Sequence, residues 1–417
     1  MFIPPSLAHP ASDPVRDWAE SGVVALTGRA DGPPIVPPGR AATLARAMAS
    51  WISDVSALGG RRIDVDGAGL LSERAAFTGF RRRGDVSLGG SCRLLPTADG
   101  WAAVSCARPD DPALLGAMVS DVVDEDDPWP VVGDWVGRHS GAELAQRAAL
   151  VSVAAGPVVR ASTPPLPLMP LHPRPVDGLL VVDFSALWAG PLCAHLLGLA
   201  GARVVKVETP DRPDGARRGN AAFYRLLHAG HESVVLDPAA TEGRRALTAL
   251  AAAADIVIEA SRPRALAGFG LDAAAVVDRG ATWVSITAAG RSADRIGFGD
   301  DLSATAGLIA RDVSGPVFVG DALADPLTGV TAAALAMSAP ADGSGQLWDL
   351  SMSDLVASTL TDDPVPKPSL SAGRWVVETA SGVVPIAEPR ARVAAGRAPE
   401  SGVDTSSVLQ SLGIAAP

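Results

Sequence analysis

Short apolar runs alternate with longer amphipathic stretches in the second half of the chain, from residue 179 onward. The runs are rich in β-branched residues and lack a strict alternation of apolar and polar positions; they read LLVVDFS, ARVVKVE, ESVVLD, ADIVIEA and ATWVSIT. Helical stretches such as PLCAHLLGLAG and TEGRRALTALAAAA separate them. Strands that are apolar throughout are typical of βαβ units, where helices cover both faces of the sheet. The pattern predicts an α/β fold with a doubly wound, parallel, Rossmann-like sheet.

The first half of the chain follows other patterns and predicts a second, smaller α+β domain. The stretch RAATLARAMASWISDV carries apolar residues at helical spacing. Two alternating runs flank Asp99–Gly100 in GGSCRLLPTADGWAAVSCA, which is a hairpin signal. Further along, Ser140 and Glu143 have the spacing of a capping box at the start of a helix.

These changes of pattern divide the chain into five segments. The stretch ASTPPLPLMPLHPRPVDG is typical of an extended linker, and the last part of the chain is rich in Pro, Ser, Ala and Gly. The predicted segments are a degenerate repeat copy (1–84), the small α+β domain (85–162), a Pro-rich linker (163–177), the Rossmann-like domain (178–361) and a largely disordered tail (362–417).

The repeat is visible in two stretches that resemble each other. SGVVALTGRADGPPIVPPGRAATL in the first half answers AGLIARDVSGPVFVGDALADPLTG in the second. When Gly32 is placed opposite Gly315 and the register is continued without a gap, Ala42 stands opposite Asp325. The second copy therefore has a carboxylate that the first copy lacks.

Composition narrows the class of protein. The chain has 417 residues, of which 47% are hydrophobic and 19% charged, as in a folded globular protein. A formal net charge of −11 argues against a nucleic-acid partner. No long uninterrupted apolar run and no signal-peptide pattern is present, so no membrane association and a cytoplasmic location are expected. The three cysteines lack metal-ligand spacing, and no metal site is expected.

Several motifs in a fixed order resemble the family III coenzyme A transferases, which include the α-methylacyl-CoA racemases. The motifs are VVDFSALWAGPLCAHLLGLAGARVVKVETP, SVVLD, ADIVIEASRPRALAGFGLD, WVSITAAG, ADPLTG and SGQLWDLSMSDL. The predicted small domain resembles, more weakly, a domain that follows these motifs in ordinary members. Here it precedes them, so the chain is interpreted as two incomplete family copies in tandem.

The resemblance also implies an assembly. In family members two subunits interlock, and the active site lies between the large domain of one subunit and the small domain of the other. A homodimer is therefore expected. A heteromer, and a site closed within a single chain, both stay open.

The resemblance assigns the role of nucleophile to Asp325, because family transferases use the aspartate of the motif that matches ADPLTG. Attack of this carboxylate on an acyl-CoA thioester would give a mixed anhydride and then an aspartyl-CoA thioester. Backbone N–H groups near Gly329 or Gly89–Gly90 are candidates for stabilising the thioester oxygen. The alternatives are structural: an Asp before Pro is often a cap, and such glycines often form turns.

CoA binding is assigned by the resemblance mainly to the Rossmann-like domain. The loop LWAGP follows the first strand at the carboxyl edge of the sheet, so Trp188, Ala189 and Gly190 are expected to contact CoA. Arg262 and Arg264, after the fourth strand, are expected to pair with phosphates. Core packing is the alternative for Trp188.

The chain also departs from the family pattern. His231 and Glu232 stand where members usually carry a basic pair, so the loss of one phosphate contact is expected. Phe298 and Gly299 stand where racemases carry a catalytic histidine. The two following aspartates, Asp300–Asp301, are candidates for a helix cap.

Together these features predict an acyl-CoA:carboxylate CoA-transferase. Its expected partners are an acyl-CoA and a carboxylic acid acceptor, with coenzyme A as substrate and no tightly bound cofactor. A non-catalytic CoA-binding protein or partner subunit is the main alternative, and a racemase or other CoA enzyme is the third. The motifs do not specify the donor and acceptor acids.

Overall fold

The computed structural model describes residues 13–161, 165, 168–261 and 263–417, without the side chains of residues 263–265. The α-helices are α1 (Pro14–Glu20), α2 (Val23–Leu26), α3 (Ala41–Leu58), α4 (Gly67–Leu70), α5 (Glu73–Thr78), α6 (Asp111–Val119), α7 (Trp129–Arg138), α8 (Gly141–Val151), α9 (Ala189–Leu199), α10 (Ala221–His228), α11 (Thr241–Ala253), α12 (Pro263–Gly268), α13 (Ala273–Val277), α14 (Gly299–Thr305), α15 (Ala324–Ala336), α16 (Met352–Ser358) and α17 (Thr405–Ser411). The strands are β1 (Cys92–Thr97), β2 (Gly100–Ser105), β3 (Ala155–Pro157), β4 (His172–Pro173), β5 (Leu180–Asp183), β6 (Arg203–Glu208), β7 (Glu232–Val235), β8 (Ile256–Glu259), β9 (Thr282–Thr287), β10 (Ile309–Asp312), β11 (Gly315–Phe318), β12 (Ser338–Ala339), β13 (Gln346–Ser351), β14 (Ser369–Ser371), β15 (Arg374–Thr379) and β16 (Gly382–Pro385).

Six strands form the central sheet in the order β13-β9-β8-β5-β6-β7, and each neighbouring pair is parallel. Read from β7, this is the 3-2-1-4-5-6 order of Rossmann folds. The predicted doubly wound sheet is confirmed. The chain reverses its direction of winding between β5 and β8, and ligands of such sheets bind at the carboxyl ends of the strands near that point.

Both faces of the sheet are covered, which explains the absence of alternation in its strands. Val181 packs into the core that contains α9 and α15, whereas its neighbour Val182 packs into the core that contains α11. All four residues of β5 are buried. Because apolar side chains on either face leave water, each strand requires an uninterrupted apolar run.

The smaller α+β domain is also confirmed. Strands β1, β2 and β3 form an antiparallel sheet, and the β1–β2 hairpin turns at Asp99–Gly100 as predicted. One face of this sheet packs on α6, α7 and α8. Its other face places Leu94 and Ala103 against Ala304 of α14 and Phe318 of β11. The small domain is thus packed directly on the helix that precedes Asp325.

The two repeat copies give helices that begin at equivalent positions. Helix α3 begins at Ala41 and α15 at Ala324, and these residues align in the ungapped register that pairs Gly32 with Gly315. The two helices pack against each other. Ala42 is fully buried in this core. The degenerate repeat itself, and the domain boundaries drawn around it, stay predictions.

The tail was predicted to be largely disordered. This is wrong for the residues that form strands β14 to β16 and helix α17. Strands β14, β15 and β16 form an antiparallel sheet, and Val408 and Leu409 of α17 are fully buried. At the edge strand β7, the N–H of Ser233 donates to the Asp404 carboxylate at 2.8 Å and that of Val235 to the Thr405 hydroxyl at 3.0 Å. The tail therefore covers a sheet edge whose N–H groups would otherwise be unpaired. Amino-acid composition does not reveal such contacts.

The predicted linker falls partly outside the described residues, at 163–164 and 166–167. Its described end includes β4, which pairs with β12. Within the described part of the chain, no helix has the length and apolarity needed to cross a membrane.

Candidate active site

A cavity of about 420 Å³ lies at the carboxyl ends of four central strands, beside the point where the winding reverses. Segments that follow β5, β8, β9 and β13 form one side, and the small domain contributes Arg108 to the other. The lining residues are Arg108, Ala186, Leu187, Ala189, Arg212, Ala260, Ser261, Ile286, Thr287, Ala288, Ala293, Arg295, Ile296, Gly297, Phe298, Asp325 and Met352. The predicted nucleophile therefore lies at the ligand site expected for this fold.

Asp325 is in the first turn of α15, and a strained loop places it there. Ala322 has φ +44°, which is unusual for a residue with a side chain. The carbonyl of Ala322 accepts a hydrogen bond from the N–H of Asp325 at 2.9 Å. The N–H of Ala322 donates to the Asp300 carboxylate at 2.9 Å. Strain of this kind is retained where the surrounding structure fixes it, and it is often found at functional sites.

Gly299 permits the close approach of α14 to Asp325. A Cβ atom at this position would collide with Asp325 Oδ2 and with the Ala322 carbonyl. The sequence analysis treated Gly299 only as the place of a missing histidine. Its contact with the carboxylate could not have been found from the sequence, because it depends on how α14 and α15 pack.

Three buried carboxyl groups lie close together and hold raised pKa values. Burial raises the pKa of Asp325 to about 7; Arg74 opposes this shift, and the charges of Asp300 and Asp301 add to it. Burial, followed by the charge of Asp321, raises the pKa of Asp300 to about 6. Burial also raises the pKa of Asp301 to about 7. Like charges in a site with little water disfavour simultaneous ionisation.

Asp301 has the capping role that the sequence predicted. Its carboxylate accepts from the N–H of Phe298 at 2.8 Å, at the start of α14. It also accepts from the hydroxyl of Ser105, at the end of β2, at 3.0 Å. The cap therefore also ties the small domain to the helix that contacts Asp325.

Arg74 provides the positive charge nearest this cluster, and it comes from the first repeat copy. Its guanidinium forms a bidentate pair with the fully buried Asp321, at 2.8 and 2.5 Å. It also lies over the ring of Trp188, 4.8 Å from the centroid. Sequence analysis did not identify Arg74, because nothing local marks a partner that lies 247 residues away.

The loop between β5 and α9 is held by buried ionic groups. Leu187 has φ +69°, and its N–H donates to Asp214 at 3.0 Å. Lys206 pairs with the same Asp214 at 2.8 Å and donates to the Ser185 carbonyl at 3.0 Å. Both charged side chains are 1% exposed, so water does not compete for these contacts. The arrangement fixes the edge of the cavity before any ligand arrives.

The three predicted CoA contacts in this loop occupy different environments. Ala189 lines the cavity. Trp188 is 3% exposed and packs edge-on against Phe223, at 5.4 Å between ring centroids. A side chain at Gly190 would collide with Ser185, so this glycine allows the turn to close. Contact of these residues with CoA stays a prediction. In this structure the side chain of Trp188 packs in the core.

The predicted oxyanion donors have structural roles in this fold. Gly329 lies inside α15, where a Cβ atom would approach the Ala189 carbonyl to 2.7 Å and Leu192 Cβ to 2.9 Å. Close packing of α15 on α9 accounts for a glycine at this position, and the role of its backbone as a donor stays a prediction. Gly90 has φ +84° and donates to the Ser87 carbonyl at 2.8 Å, as a turn residue does.

The predicted phosphate ligands cannot be placed. Arg262 lies outside the described residues, and of Arg264 only the backbone, in α12, is described. At the departures from the family pattern, His231 is buried and Glu232 pairs with Arg203 at 2.6 Å. These two residues serve the packing around β7, which agrees with the expected loss of a basic contact.

Three arginines that the sequence analysis did not select line the cavity: Arg108, Arg212 and Arg295. Arg108 is held by Asp111 at 2.6 Å. Arg295 donates to the Thr305 hydroxyl at 2.8 Å. They escape a motif search because they lie on three separate loops. Arginines are suited to carboxylate and phosphate groups, so the cavity has the charge expected for an anionic ligand.

All these groups come from one chain. The first repeat copy contributes Arg74, the small domain contributes Ser105 and Arg108, and the Rossmann-like part contributes Asp325.

Comparison with known proteins agrees with the resemblance. The family model described as CoA-transferase family III matches residues 176–381. The chain is 27% identical over 238 residues to a succinyl-CoA–D-citramalate CoA-transferase of Chloroflexus aurantiacus, covering 52% of this chain and 58% of that protein. It is 29% identical over 219 residues to a succinate–glutarate CoA-transferase of Agrobacterium fabrum, covering 46% and 55%.

Among solved structures, a CAIB/BAIF family protein from Brucella suis is 27% identical, with a TM-score of 0.43, and the match covers 51% of this chain and 65% of that one. The chain spans little more than half the length of the curated relatives. The matched segment runs from the start of the central sheet through Asp325 and α15. Residues 176–381 of this chain are thus similar to CoA-transferase family III.

Proposed function

We propose that this protein is an acyl-CoA:carboxylate CoA-transferase in which Asp325 is the nucleophile. The observation that carries the proposal is the position of Asp325: its carboxylate is held in a cavity at the carboxyl edge of the sheet, at the start of α15. The N-terminus of a helix favours a negative charge. The matched relatives named as CoA-transferases support the same reaction class.

The chemistry needs one carboxylate and no redox step. An Asp325 oxygen attacks the thioester carbonyl carbon, the C–S bond breaks, and CoA leaves as a thiolate, giving a mixed anhydride. The thiolate then attacks the Asp325 carbonyl and expels the first carboxylate, leaving an aspartyl-CoA thioester. The acceptor carboxylate reverses these two steps. Each step forms one C–O or C–S bond and breaks one C–S or C–O bond with no change of oxidation state, so atoms and electrons balance without another reagent.

The cavity supports recognition of the charged parts of the substrates. Its lining includes three arginines, Arg108, Arg212 and Arg295. At the edge of the cavity, a hydrogen bond to Asp214 fixes the backbone of Leu187. The Ser261 hydroxyl, also in the lining, is buried without a hydrogen-bond partner among the described residues. A buried polar group without a partner is costly, so it favours a ligand that supplies one.

Covalent capture at Asp325 tests the proposal. The full chain is incubated with acetyl-CoA, succinyl-CoA and longer acyl-CoA thioesters, quenched with hydroxylamine, and mapped by mass spectrometry. A hydroxamate on Asp325 is expected, because hydroxylamine attacks an activated aspartyl carbonyl. If no thioester modifies Asp325 while calorimetry shows that CoA binds, the transferase proposal is wrong.

That second outcome would favour a non-catalytic CoA-binding protein. This alternative is supported by His231 and Glu232, which the structure places in packing and ion-pair contacts around β7. The homodimer expected from the resemblance stays a prediction in either case.

The raised pKa of Asp325 predicts a pH dependence. Because only the carboxylate attacks, kcat/KM should rise about tenfold per pH unit below pH 7 and level off above it. A profile that levels off near the ordinary value of 3.8 would show that burial does not perturb Asp325 in the active enzyme.

Stability should follow the opposite trend. A pKa above the unfolded value of 3.8 means that the native state holds the proton more tightly. The free energy of unfolding, measured relative to Asp325→Asn, should therefore fall as pH rises from 3.8 to about 7 and stay constant above. Urea titrations of both proteins across this range measure the difference.

A further inference from the structure

A second cavity, of about 580 Å³, lies between the small domain and the loop that follows β9. Helix α8 forms one wall with Ala145, Ala148 and Ala149, and the small-domain strand β3 and the residues after it add Gly156 and Val159. Its size is within the usual range for small-molecule sites, about 300–1,000 Å³. The alanines of α8 give this wall a short aliphatic surface with room for an apolar group, whereas Ser152, Asp294, Arg295 and Thr305 add polar groups elsewhere in the lining.

The second cavity shares a wall with the Asp325 cavity. Ala293, Arg295 and Ile296 line both. The Arg295 guanidinium is fixed there by a hydrogen bond to the Thr305 hydroxyl at 2.8 Å. It also lies so close to Gly156 that a Cβ atom there would be 3.4 Å away. The Arg295 cation therefore lies on the wall that the two cavities share.

We infer that the second cavity binds the hydrocarbon part of an aliphatic acyl group, whose carboxyl or thioester end faces Asp325. The inference rests on the proposed transferase function and names its substrate class. A monocarboxylic acid with a chain of several carbons fits the two cavities: its charged end would contact Arg295, and its chain would contact the alanines of α8. In the reverse half-reaction, the acyl group of the other substrate occupies the same place.

The alanines of α8 provide the apolar surface on which the chain would lie. Each methylene moved from water onto such a surface contributes about 0.8 kcal/mol, which corresponds to about fourfold in affinity.

Equilibrium binding of unreactive thioether analogues tests this inference. Calorimetry with S-ethyl-, S-butyl-, S-hexyl- and S-octyl-CoA measures affinity on the full chain without turnover. Affinity should rise by about fourfold per methylene over the shorter members, and then level off when the cavity is full. Equal affinity for all four thioethers would overturn the inference and leave the CoA site intact. No binding of any thioether would overturn the proposed function as well.

Two variants on α8 locate the chain. Ala149→Phe fills the cavity from an exposed position, so the fold should tolerate it. It should weaken S-hexyl-CoA binding by about tenfold or more and change S-ethyl-CoA binding by less than about twofold. Leu150→Phe adds the same ring at another exposed position of α8 that does not line the cavity, and it should change neither. Equal effects of the two variants, or none from Ala149→Phe, would place the chain elsewhere.

Discussion

Replacing Asp325 with Asn should abolish CoA transfer while leaving CoA binding intact. Asn has nearly the same shape, but its amide cannot attack a thioester to give an anhydride. Removing an enzyme's nucleophile typically lowers kcat by roughly 10⁴- to 10⁶-fold. The pocket itself should survive, because Asp325 contributes only one of its walls. Exchange of label between an acyl-CoA and free carboxylate measures transfer, and calorimetry with CoA measures binding.

Asp354→Asn is the matched control. Asp354 lies in the first turn of α16, as Asp325 does in α15, but it is exposed. Loss of the exposed charge near the N-terminus of α16 costs about 0.3–1 kcal/mol, so Asp354→Asn should leave the fold intact. Only Asp325→Asn should lose transfer. Unchanged turnover in Asp325→Asn would remove this residue from the mechanism.

The sequence predicted the central sheet and Asp325 because both depend on local information. Continuous apolar runs are required wherever both faces of a strand are covered, and the ADPLTG motif lies within one helical turn. The order of strands then follows from connection rules, which place the end of β5 at the ligand site. In this respect Ala189 lies where the pattern expected it, in the cavity lining.

The rest of the site depends on contacts that no local pattern records. Gly299 is needed because α14 passes beside Asp325, and Arg295 joins two cavities only because the small domain packs over the loop that carries it. The packing role of Gly329 was missed for the same reason: the sequence shows a glycine near Asp325, but only the crossing of α15 with α9 shows that a Cβ atom there would meet Ala189 and Leu192. Such positions become predictable only once the packing is known.

Arg74 is the residue whose loss should have the largest effect on both stability and pH dependence. Its guanidinium is the partner of Asp321, which has 0% exposure, and it also lies within electrostatic range of Asp300 and Asp325. Breaking a buried pair by removing one partner costs about 3–5 kcal/mol, because it leaves an uncompensated charge. Since Arg74 itself is 27% exposed, Arg74→Met should lose about 3 kcal/mol of unfolding free energy, near the low end.

A double-mutant cycle with Asp321→Asn separates the ion pair from simple packing. Once Asp321 is neutral, Arg74→Met should cost much less than in the wild-type background, because no buried anion remains at this position. Arg16→Met is the surface control: Arg16 pairs with Glu20 at 2.8 Å and is 48% exposed, so its replacement should change the free energy of unfolding far less than that of Arg74. Additive losses at Arg74 and Asp321 in urea titrations would contradict the coupling.

The pH profile provides a readout that packing alone would not move. Arg74 lowers the pKa of Asp325 against the effects of burial and neighbouring carboxylates. Without the guanidinium, the rise of kcat/KM should therefore shift to higher pH in Arg74→Met, and Arg74→Lys should restore part of the shift because it retains the charge. A residue that only filled space would lower activity equally at every pH. If the pH profile shifts in Arg74→Met and partly returns in Arg74→Lys, the charge of Arg74 keeps Asp325 ionised. The first repeat copy, which has Ala42 in place of a carboxylate, would then contribute to the reaction through Arg74.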